Sequence, residues 1–71
     1  MSRLPRISGR ECIRALRRLG FEEIRQEGSH VVLRRTEPFA QVVVPDHLDR
    51  GTLRAILRLA GIERAKFVEL L

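Results

Sequence analysis

The amino-acid sequence predicts an α+β fold in which one helix precedes three antiparallel strands and two further helices follow them. The start of the chain has a helix-capping motif and helical periodicity, the middle has three short apolar runs separated by turn residues, and the last third returns to helical periodicity. At 71 residues the chain is expected to form one domain, residues 1–71. A core of this size gives about 3–5 kcal/mol of stability, so we expect a large substrate to bind on the surface.

The charge balance indicates an anionic partner. The chain has 14 Lys and Arg residues against 9 Asp and Glu, which gives a net charge of +5, and 13 of the 14 cations are arginine. The planar guanidinium of arginine binds phosphate and carboxylate groups in a bidentate way, which favours a polyanion or an acidic protein as the partner. A solvated arginine-rich surface is the alternative interpretation.

Cysteine usage and hydropathy indicate the compartment. The single cysteine, Cys12, excludes an internal disulfide, and its apolar neighbours predict a packed and unreactive thiol in a reducing environment. No apolar run approaches the roughly 18 residues of a membrane span, and the start of the chain lacks the layout of a secretory signal. We therefore expect a cytoplasmic protein that does not contact a membrane.

A capping box predicts the first helix. Ser8 and Glu11 have the Ser-x-x-Glu spacing, in which a hydroxyl and a carboxylate each bind a free backbone N–H, and Gly20 is expected to end the helix as a left-handed cap. Helical periodicity separates the apolar and basic residues onto two sides, with Cys12, Ile13, Ala15, Leu16 and Leu19 on one side and Arg10, Arg14, Arg17 and Arg18 on the other. The arginine side is either a phosphate-binding face or a solvated one.

A three-stranded antiparallel meander is predicted next. The strands are expected at residues 21–26, from His30 to Arg34, and at residues 41–44, with turns at residues 27–29 and 35–40. Phe21 and Ile24 are the apolar anchors of the weak first strand, and Pro45 stops the third. Because strand side chains alternate, Val31, Leu33, Val42 and Val44 are expected to face the helices, while Val32 and Val43 share the open face with His30.

Two helices are predicted after the sheet. Asp49 or Thr52 caps a helix whose apolar residues follow the helical spacing closely and which ends at Gly61. Ala55 and Leu59 lie on the far side of that helix. We expect the segment after Gly61 to form a short terminal helix that covers them.

Six stretches of the chain, taken in order, carry a resemblance to a known family. They are Leu4-Pro5 with Ser8-Gly9-Arg10-Glu11, Leu19-Gly20-Phe21, Gln26-Glu27-Gly28-Ser29-His30, Val44-Pro45-Asp46-His47, residues 51–57 and Ala60-Gly61-Ile62. Together they resemble the HicA-type toxins, small ribonucleases of bacterial and archaeal toxin–antitoxin pairs. Two departures are visible: the link from Val44 to Gly51 is shorter than in many members, and Glu63 stands where a Ser or Thr often caps the last helix.

The resemblance implies a fold, an activity and a partner. The implied fold is double-stranded-RNA-binding-domain-like, α-β-β-β-α with a short C-terminal helix and with helices on one face of the sheet. The implied activity is mRNA cleavage without a metal or the ribosome, and in that family the histidine of the Gly-Ser-His stretch, here His30, is catalytic. The implied partner is an acidic HicB-type antitoxin, which we expect to pack on Val32 and Val43 and so exclude RNA from His30.

The residue types around His30 suit this chemistry. RNA is cut without a metal when a base removes the proton of a 2′-hydroxyl, which attacks the adjacent phosphorus, and donors stabilise the charged phosphorane. Gly28 and Ser29 can hold a phosphate oxygen, and Arg34 either offsets phosphate charge from the same strand face or is an ordinary exposed arginine. His47, the other histidine, either approaches His30 as a second proton shuttle or caps the following link.

No metal, cofactor or base-reading site is expected. The two histidines lack a suitably spaced set of cysteines or carboxylates, and no Gly-rich phosphate loop is present. The chain has no Trp or Tyr and only 3 Phe, which predicts loose RNA specificity. Two other classes remain open: a catalytically silent RNA-binding module that uses the arginine side, and a purely protein-interacting factor. In both of them His30 is an ordinary surface histidine.

Overall fold

The computed structural model describes residues 3–71 and has the predicted α-β-β-β-α-α order. The elements are α1 (Gly9–Arg18), β1 (Glu22–Glu27), β2 (His30–Thr36), β3 (Phe39–Pro45), α2 (Arg50–Ala60) and α3 (Arg64–Glu69). The strands form one antiparallel sheet in the order β1-β2-β3, and α1 and α2 both contact β3. Within residues 3–71, no helix is both long enough and apolar enough to span a bilayer.

The capping box predicted at the start of α1 is present. The Ser8 hydroxyl accepts a hydrogen bond from the Glu11 backbone N–H at 3.1 Å, and the Glu11 carboxylate accepts one from the Ser8 backbone N–H at 3.0 Å. Two donors that a helix start leaves free are thereby satisfied. At the other end, Gly20 has φ +95°, a left-handed backbone that glycine adopts without strain, and α1 ends before it as predicted.

The sheet is longer than the sequence predicts. The β1–β2 turn contains only Gly28 and Ser29, and the β2–β3 turn contains only Glu37 and Pro38. The turns predicted at residues 27–29 and 35–40 are therefore too wide, because Glu27 pairs with His30 and residues 35 and 36 pair with residues 40 and 39. β3 includes Pro45 instead of stopping before it. Proline is tolerated at the end of an edge strand, where its missing N–H breaks no bond inside the ladder.

Strand alternation separates the two faces of the sheet as predicted. Val31 lies opposite Val44 and Leu33 lies opposite Val42, and these four side chains pack against the helices. The helices and flanking segments complete the core with Leu4, Cys12, Ala15, Leu16, Phe21, Leu53, Ile56, Leu57, Ala60 and Phe67. The opposite face of the sheet, called the outer face below, carries His30, Val32 and Arg34 of β2.

A β-bulge in β1 changes which of its side chains face the helices. The β1–β2 register shifts between Glu23 and Arg25, which leaves Ile24 without a partner of its own. Glu23 and Gln26 are three residues apart, yet the bulge brings both to the helix side of the sheet. Ile24 is 37% exposed, so its predicted role as an apolar anchor is wrong.

Of the two residues predicted to cap α2, Asp49 and Thr52, Asp49 is the N-cap residue. Its carboxylate accepts a hydrogen bond from the Thr52 backbone N–H at 2.7 Å, and Gly61, at φ +69°, ends the helix as predicted. The pKa values of Asp49 and Glu11 are both lowered, because each carboxylate accepts hydrogen bonds at a helix start.

The terminal helix α3 packs on the core without covering the far side of α2. Phe67 is fully buried, and an Arg18 N–H donates to the Leu70 carbonyl oxygen at 3.4 Å, which places the end of α3 beside α1. Leu59 remains 71% exposed and Ala55 is exposed. The prediction that the last segment covers these two residues is wrong, because the burial of Phe67 directs α3 toward the core instead.

Candidate functional site

His30 occupies the predicted position, the first residue of β2. The two-residue turn Gly28-Ser29 ends directly before it, and the side chain of His30 is exposed. Since Val31 faces the helices, strand alternation places His30 on the outer face of the sheet. A ligand on that face can therefore reach the imidazole from solvent.

An ion pair lies next to His30 on the outer face. Glu27 is the register partner of His30 across the β1–β2 hairpin, and its carboxylate binds the Arg25 guanidinium at 2.7 Å. The Cβ atoms of directly paired residues lie about 5 Å apart, so a carboxylate and a cation accompany the imidazole.

A cleft of about 890 Å³ opens on the helix side of the sheet, between α1 and the β1–β2 hairpin. One wall consists of four arginines of α1: Arg10, Arg14, Arg17 and Arg18. Glu23 and Gln26 of β1 line the other wall, and Gly28, Ser29 and Asp46 lie at one end. Four guanidinium groups against two carboxylates leave the cleft net positive, which suits an anionic ligand.

The end of the cleft that holds the Gly28-Ser29 turn is tied together by backbone contacts. The Asp46 N–H donates to the Ser29 carbonyl oxygen at 2.8 Å. Gly9, the first residue of α1, lies so close to the Pro45 carbonyl oxygen that a Cβ atom at position 9 would collide with it. The start of α1, the hairpin turn and the end of β3 are thus held together.

The residues predicted to bind RNA fall into two groups. The cleft brings together Arg10, Arg14, Arg17, Gly28 and Ser29. Arg34 is not among the residues that line it, since Arg34 lies on the outer face and donates through Nε to the Gln41 side-chain oxygen at 3.1 Å. This placement agrees with the predicted sharing of one strand face by Arg34 and His30.

His47, the candidate second proton shuttle, is exposed in the bend that follows β3. It comes two residues after Pro45, which is the register partner of His30. The two histidines therefore lie at the same end of the sheet, His30 at the start of β2 and His47 just beyond the end of β3. No hydrogen bond joins them among residues 3–71, and the role of His47 stays a prediction.

The apolar patch predicted on the outer face, Val32 with Val43, is only partly accessible. Val32 and Val43 are register partners on this face, but Val32 is only 3% exposed and is not part of the core beneath the helices. Val32 lies in the central strand, with Arg25 of β1 and Val43 of β3 as its register partners, so it is flanked on both sides. The accessible apolar residues are Val43 at 47% and Phe39 at 69% exposure, so the expectation that Val32 forms an open contact surface is wrong.

Cys12 lies inside the core, as predicted, and is fully buried. Burial raises the pKa of its thiol to about 12, which keeps it protonated and unreactive at neutral pH. Among residues 3–71, no group of three or more His, Cys, Asp or Glu side chains is arranged to hold a metal ion.

Four residues near the candidate site are not predicted by the sequence pattern. Glu23 and Gln26 reach the cleft only because of the bulge, and Asp46 joins it through the end of β3. Glu27 faces His30 because the turn has two residues rather than three. A Gly-Ser pair between two strand-like runs is a signal for a two-residue hairpin, and it would have identified the pairing of Glu27 with His30.

The fold and the site together define a class of protein: an α+β domain of the double-stranded-RNA-binding-domain type, with an arginine-lined cleft and an exposed histidine at the two sides of one hairpin. A family model described as the HicA toxin of bacterial toxin-antitoxin matches residues 9–62, more than half of the 71-residue chain. The chain therefore belongs to the HicA toxin family, whose members are the toxins of toxin–antitoxin pairs. A comparison with curated proteins gives no match.

Proposed function

We propose that this HicA-family protein is a metal-independent endoribonuclease that cleaves mRNA in the cytoplasm, with the whole chain acting as one toxin domain and His30 as its general base. The observation that carries the proposal is the exposed His30 on the outer face, directly after the Gly28-Ser29 turn that lies at one end of the net-positive cleft. Family membership supports a toxin, and the arginines of the cleft favour RNA as its target.

The proposed reaction is an internal transesterification. The imidazole of His30 removes the proton of a 2′-hydroxyl, the 2′-oxygen forms a bond to the adjacent phosphorus, and the bond from phosphorus to the 5′-oxygen breaks. The products are a cyclic 2′,3′-phosphate end and a free 5′-hydroxyl end. The 5′-oxygen takes its proton from water or from a second acid, for which His47 is the candidate.

Three features support stabilisation of the phosphorane. A phosphate can approach the backbone at Gly28 closely, because Gly28 has no side chain and nothing lies within 4 Å of the place of a Cβ atom. The Ser29 hydroxyl is exposed at the same turn, and Arg34 brings a guanidinium to the outer face. We assign these residues to phosphate contact rather than to proton transfer.

The test of the proposal is the His30→Ala variant. Removal of a general base lowers the rate by about 10²–10⁴, so RNA cleavage and growth inhibition should both be lost. The exposed position of His30 predicts unchanged folding, which circular dichroism checks. The His47→Ala variant is the matched comparison and reveals whether the other histidine supplies the second proton. A folded His30→Ala protein with full activity would exclude the proposed mechanism.

Chelation tests the metal-free part of the proposal. Cleavage by the wild-type protein should be unchanged in EDTA, because the imidazole and cationic side chains replace the metal ion as base and charge stabiliser. Loss of cleavage in EDTA and its recovery with a divalent cation would contradict this part.

The arginine wall is tested by charge reversal. The Arg14→Glu/Arg17→Glu variant should bind RNA more weakly and reduce the slope of log affinity against log salt by about one or more, because fewer counterions are released. The fragments produced should be the same as for the wild type, since phosphate contacts carry no sequence information. The matched control is Arg54→Glu/Arg58→Glu on α2, outside the cleft. An equal effect of both double variants would show that the cleft has no special role.

We further propose that the partner is an acidic HicB-type antitoxin that packs on the outer face and covers His30. The net charge of +5 favours an acidic partner, and Val43 and Phe39 provide accessible apolar surface on the face of His30. An antitoxin seated there blocks RNA by occlusion and has no need to distort the toxin.

A catalytically silent RNA-binding module is the second candidate function. It is favoured by one observation: His30 is not among the residues that line the arginine cleft. In that case RNA would bind with the same salt dependence, but His30→Ala would leave every cellular effect of the protein unchanged.

A further inference from the structure

We propose that the RNA strand cleaved by this protein turns around the tip of the β1–β2 hairpin, so that the substrate must be unpaired at the scissile phosphate. The inference rests on the proposed ribonuclease function and adds the structural class of RNA on which it acts. It follows from the placement of the phosphate-binding arginines and of His30 on opposite sides of one sheet.

The first step concerns the arginines. Arg14 and Arg17 of α1 face Glu23 and Gln26 across the cleft, which is on the helix side of the sheet. Val31 lines the same cleft, which confirms that this side belongs to the core-facing residues of β2. Phosphates bound by the arginine wall therefore lie on the helix side.

The second step concerns the histidine. His30 directly precedes Val31 and so has the opposite orientation, on the outer face with Glu27 and Arg34. A phosphate that reacts at His30 lies on that outer face. The backbone layer of the sheet separates it from the phosphates in the cleft.

The third step concerns the path between the two sides. β1 and β2 are joined only by Gly28 and Ser29, and both residues also line the cleft. Gly28 has open space around its Cα, with nothing within 4 Å of the place of a Cβ atom. The hairpin tip is thus a narrow edge over which an RNA strand can pass from the arginines to His30.

A continuous duplex does not fit this path. Pairing and stacking hold each strand of an A-form helix in a regular helical course, so neither strand can turn sharply around a hairpin tip. Attack by the 2′-oxygen also requires it to lie in line with the leaving 5′-oxygen, and regular stacking holds these atoms away from that geometry. An unpaired nucleotide is free to meet both requirements.

The experiment compares three RNAs of one sequence: a single strand, the fully paired duplex, and a duplex in which three nucleotides bulge from the labelled strand. Cleavage by the wild-type protein is measured for each, and the binding of each is measured separately with His30→Ala. We expect the duplex to be cut at least ~10²-fold more slowly than the single strand although it binds, and the bulged duplex to be cut at the bulge.

The outcomes separate the inference from the function on which it rests. If the duplex is cut within tenfold of the single strand, the inference is overturned and the ribonuclease function stands. Cleavage of none of the three RNAs overturns both. Slow cleavage of a duplex that also fails to bind His30→Ala overturns the inference too, because binding would then explain the preference. Cutting confined to the single strand and the bulge, with all three RNAs bound, supports it.

Discussion

Gly9 shows how one missing side chain sets the position of a helix. It is the first residue of α1, and the Pro45 carbonyl oxygen occupies the space that a Cβ atom would need. Because this contact holds α1 against the end of β3, it also fixes one end of the arginine cleft. A glycine is required here by close approach, since its φ is not in the left-handed region.

The Gly9→Ala substitution should therefore destabilise the protein. Alanine favours helices by up to about 1 kcal/mol over glycine, but overpacking against a rigid backbone atom costs about 1–3 kcal/mol, so the net effect is a loss. Urea denaturation measures it. Gly51→Ala in the first turn of α2 is the matched control, since its nearest neighbour, Asp49 Oδ1, is 3.4 Å from the Cβ position. Equal stability of the two variants would contradict the prediction.

At the scale of elements, each of the two long helices has at its start a carboxylate that accepts a hydrogen bond from a backbone N–H. Glu11 accepts the Ser8 N–H at α1, and Asp49 accepts the Thr52 N–H at α2. Both pKa values are lowered from the ordinary values of 4.5 and 3.8, because the charged carboxylates are hydrogen-bonded in the folded state. The unfolded state therefore binds more protons in acid, and folding stability falls as pH decreases through this range.

We predict that the Glu11→Gln/Asp49→Asn variant loses part of this acid dependence. Glutamine and asparagine keep the capping hydrogen bonds but do not titrate, so the stabilisation present above pH 4.5 no longer disappears as pH falls below it. Urea midpoints between pH 6 and about pH 3 give the comparison. A variant curve as steep as that of the wild type would show that other carboxylates carry the acid dependence.

The elements differ in how far the sequence determines them. A complete local signal predicts two of them: α1 has its capping box at Ser8 and Glu11, and α2 has its glycine stop at Gly61. The position of His30 at the start of β2 also follows from the sequence, because the Gly-Ser turn before it and the apolar run after it are both local. The bulge at Ile24 and the burial of Val32 depend on register with a neighbouring strand, which no local pattern of β1 reveals.

Tertiary packing also decides features of the candidate site. Helical periodicity predicts that Arg10, Arg14 and Arg17 share one side of α1, but it does not say which strand that side faces. The cleft exists because α1 packs on β3 and leaves open space between its arginine side and β1, where the bulge adds Glu23 and Gln26. Likewise, alternation predicts that His30 and Arg34 share a face, while their separation from the arginine wall follows only from the assembled sheet.

On the scale of the whole molecule, the small size of the domain means that binding of a partner can add as much to stability as a large part of the core does. A single core of 71 residues is worth about 3–5 kcal/mol. A ligand present at a hundred times its Kd adds about 2.7 kcal/mol to the folded state, which is of the same order. An antitoxin that binds only the folded toxin would thus both silence and stabilise it.

The proposed antitoxin surface is tested by Val43→Asp. A charge on this 47% exposed residue should weaken the complex with the cognate antitoxin at least ~10-fold and leave a toxin that its partner no longer silences. Val32 is unsuitable for this test, because a charge there would be buried. The control is Leu59→Asp on α2, an exposed apolar residue away from the sheet. Undiminished affinity of Val43→Asp, or an antitoxin complex with His30 open to solvent, would contradict occlusion.

The burial of Cys12 makes the folded protein resistant to thiol reagents. This thiol is the chain's single cysteine and has no contact with solvent. A disulfide reagent such as dithionitrobenzoate therefore reaches it only in molecules that have opened, and the rate of colour formation follows the population of that open state. The reaction rate of the Cys12 thiol thus reports the unfolding of the protein without any added label. The rate can be compared in the presence and absence of RNA or a protein partner.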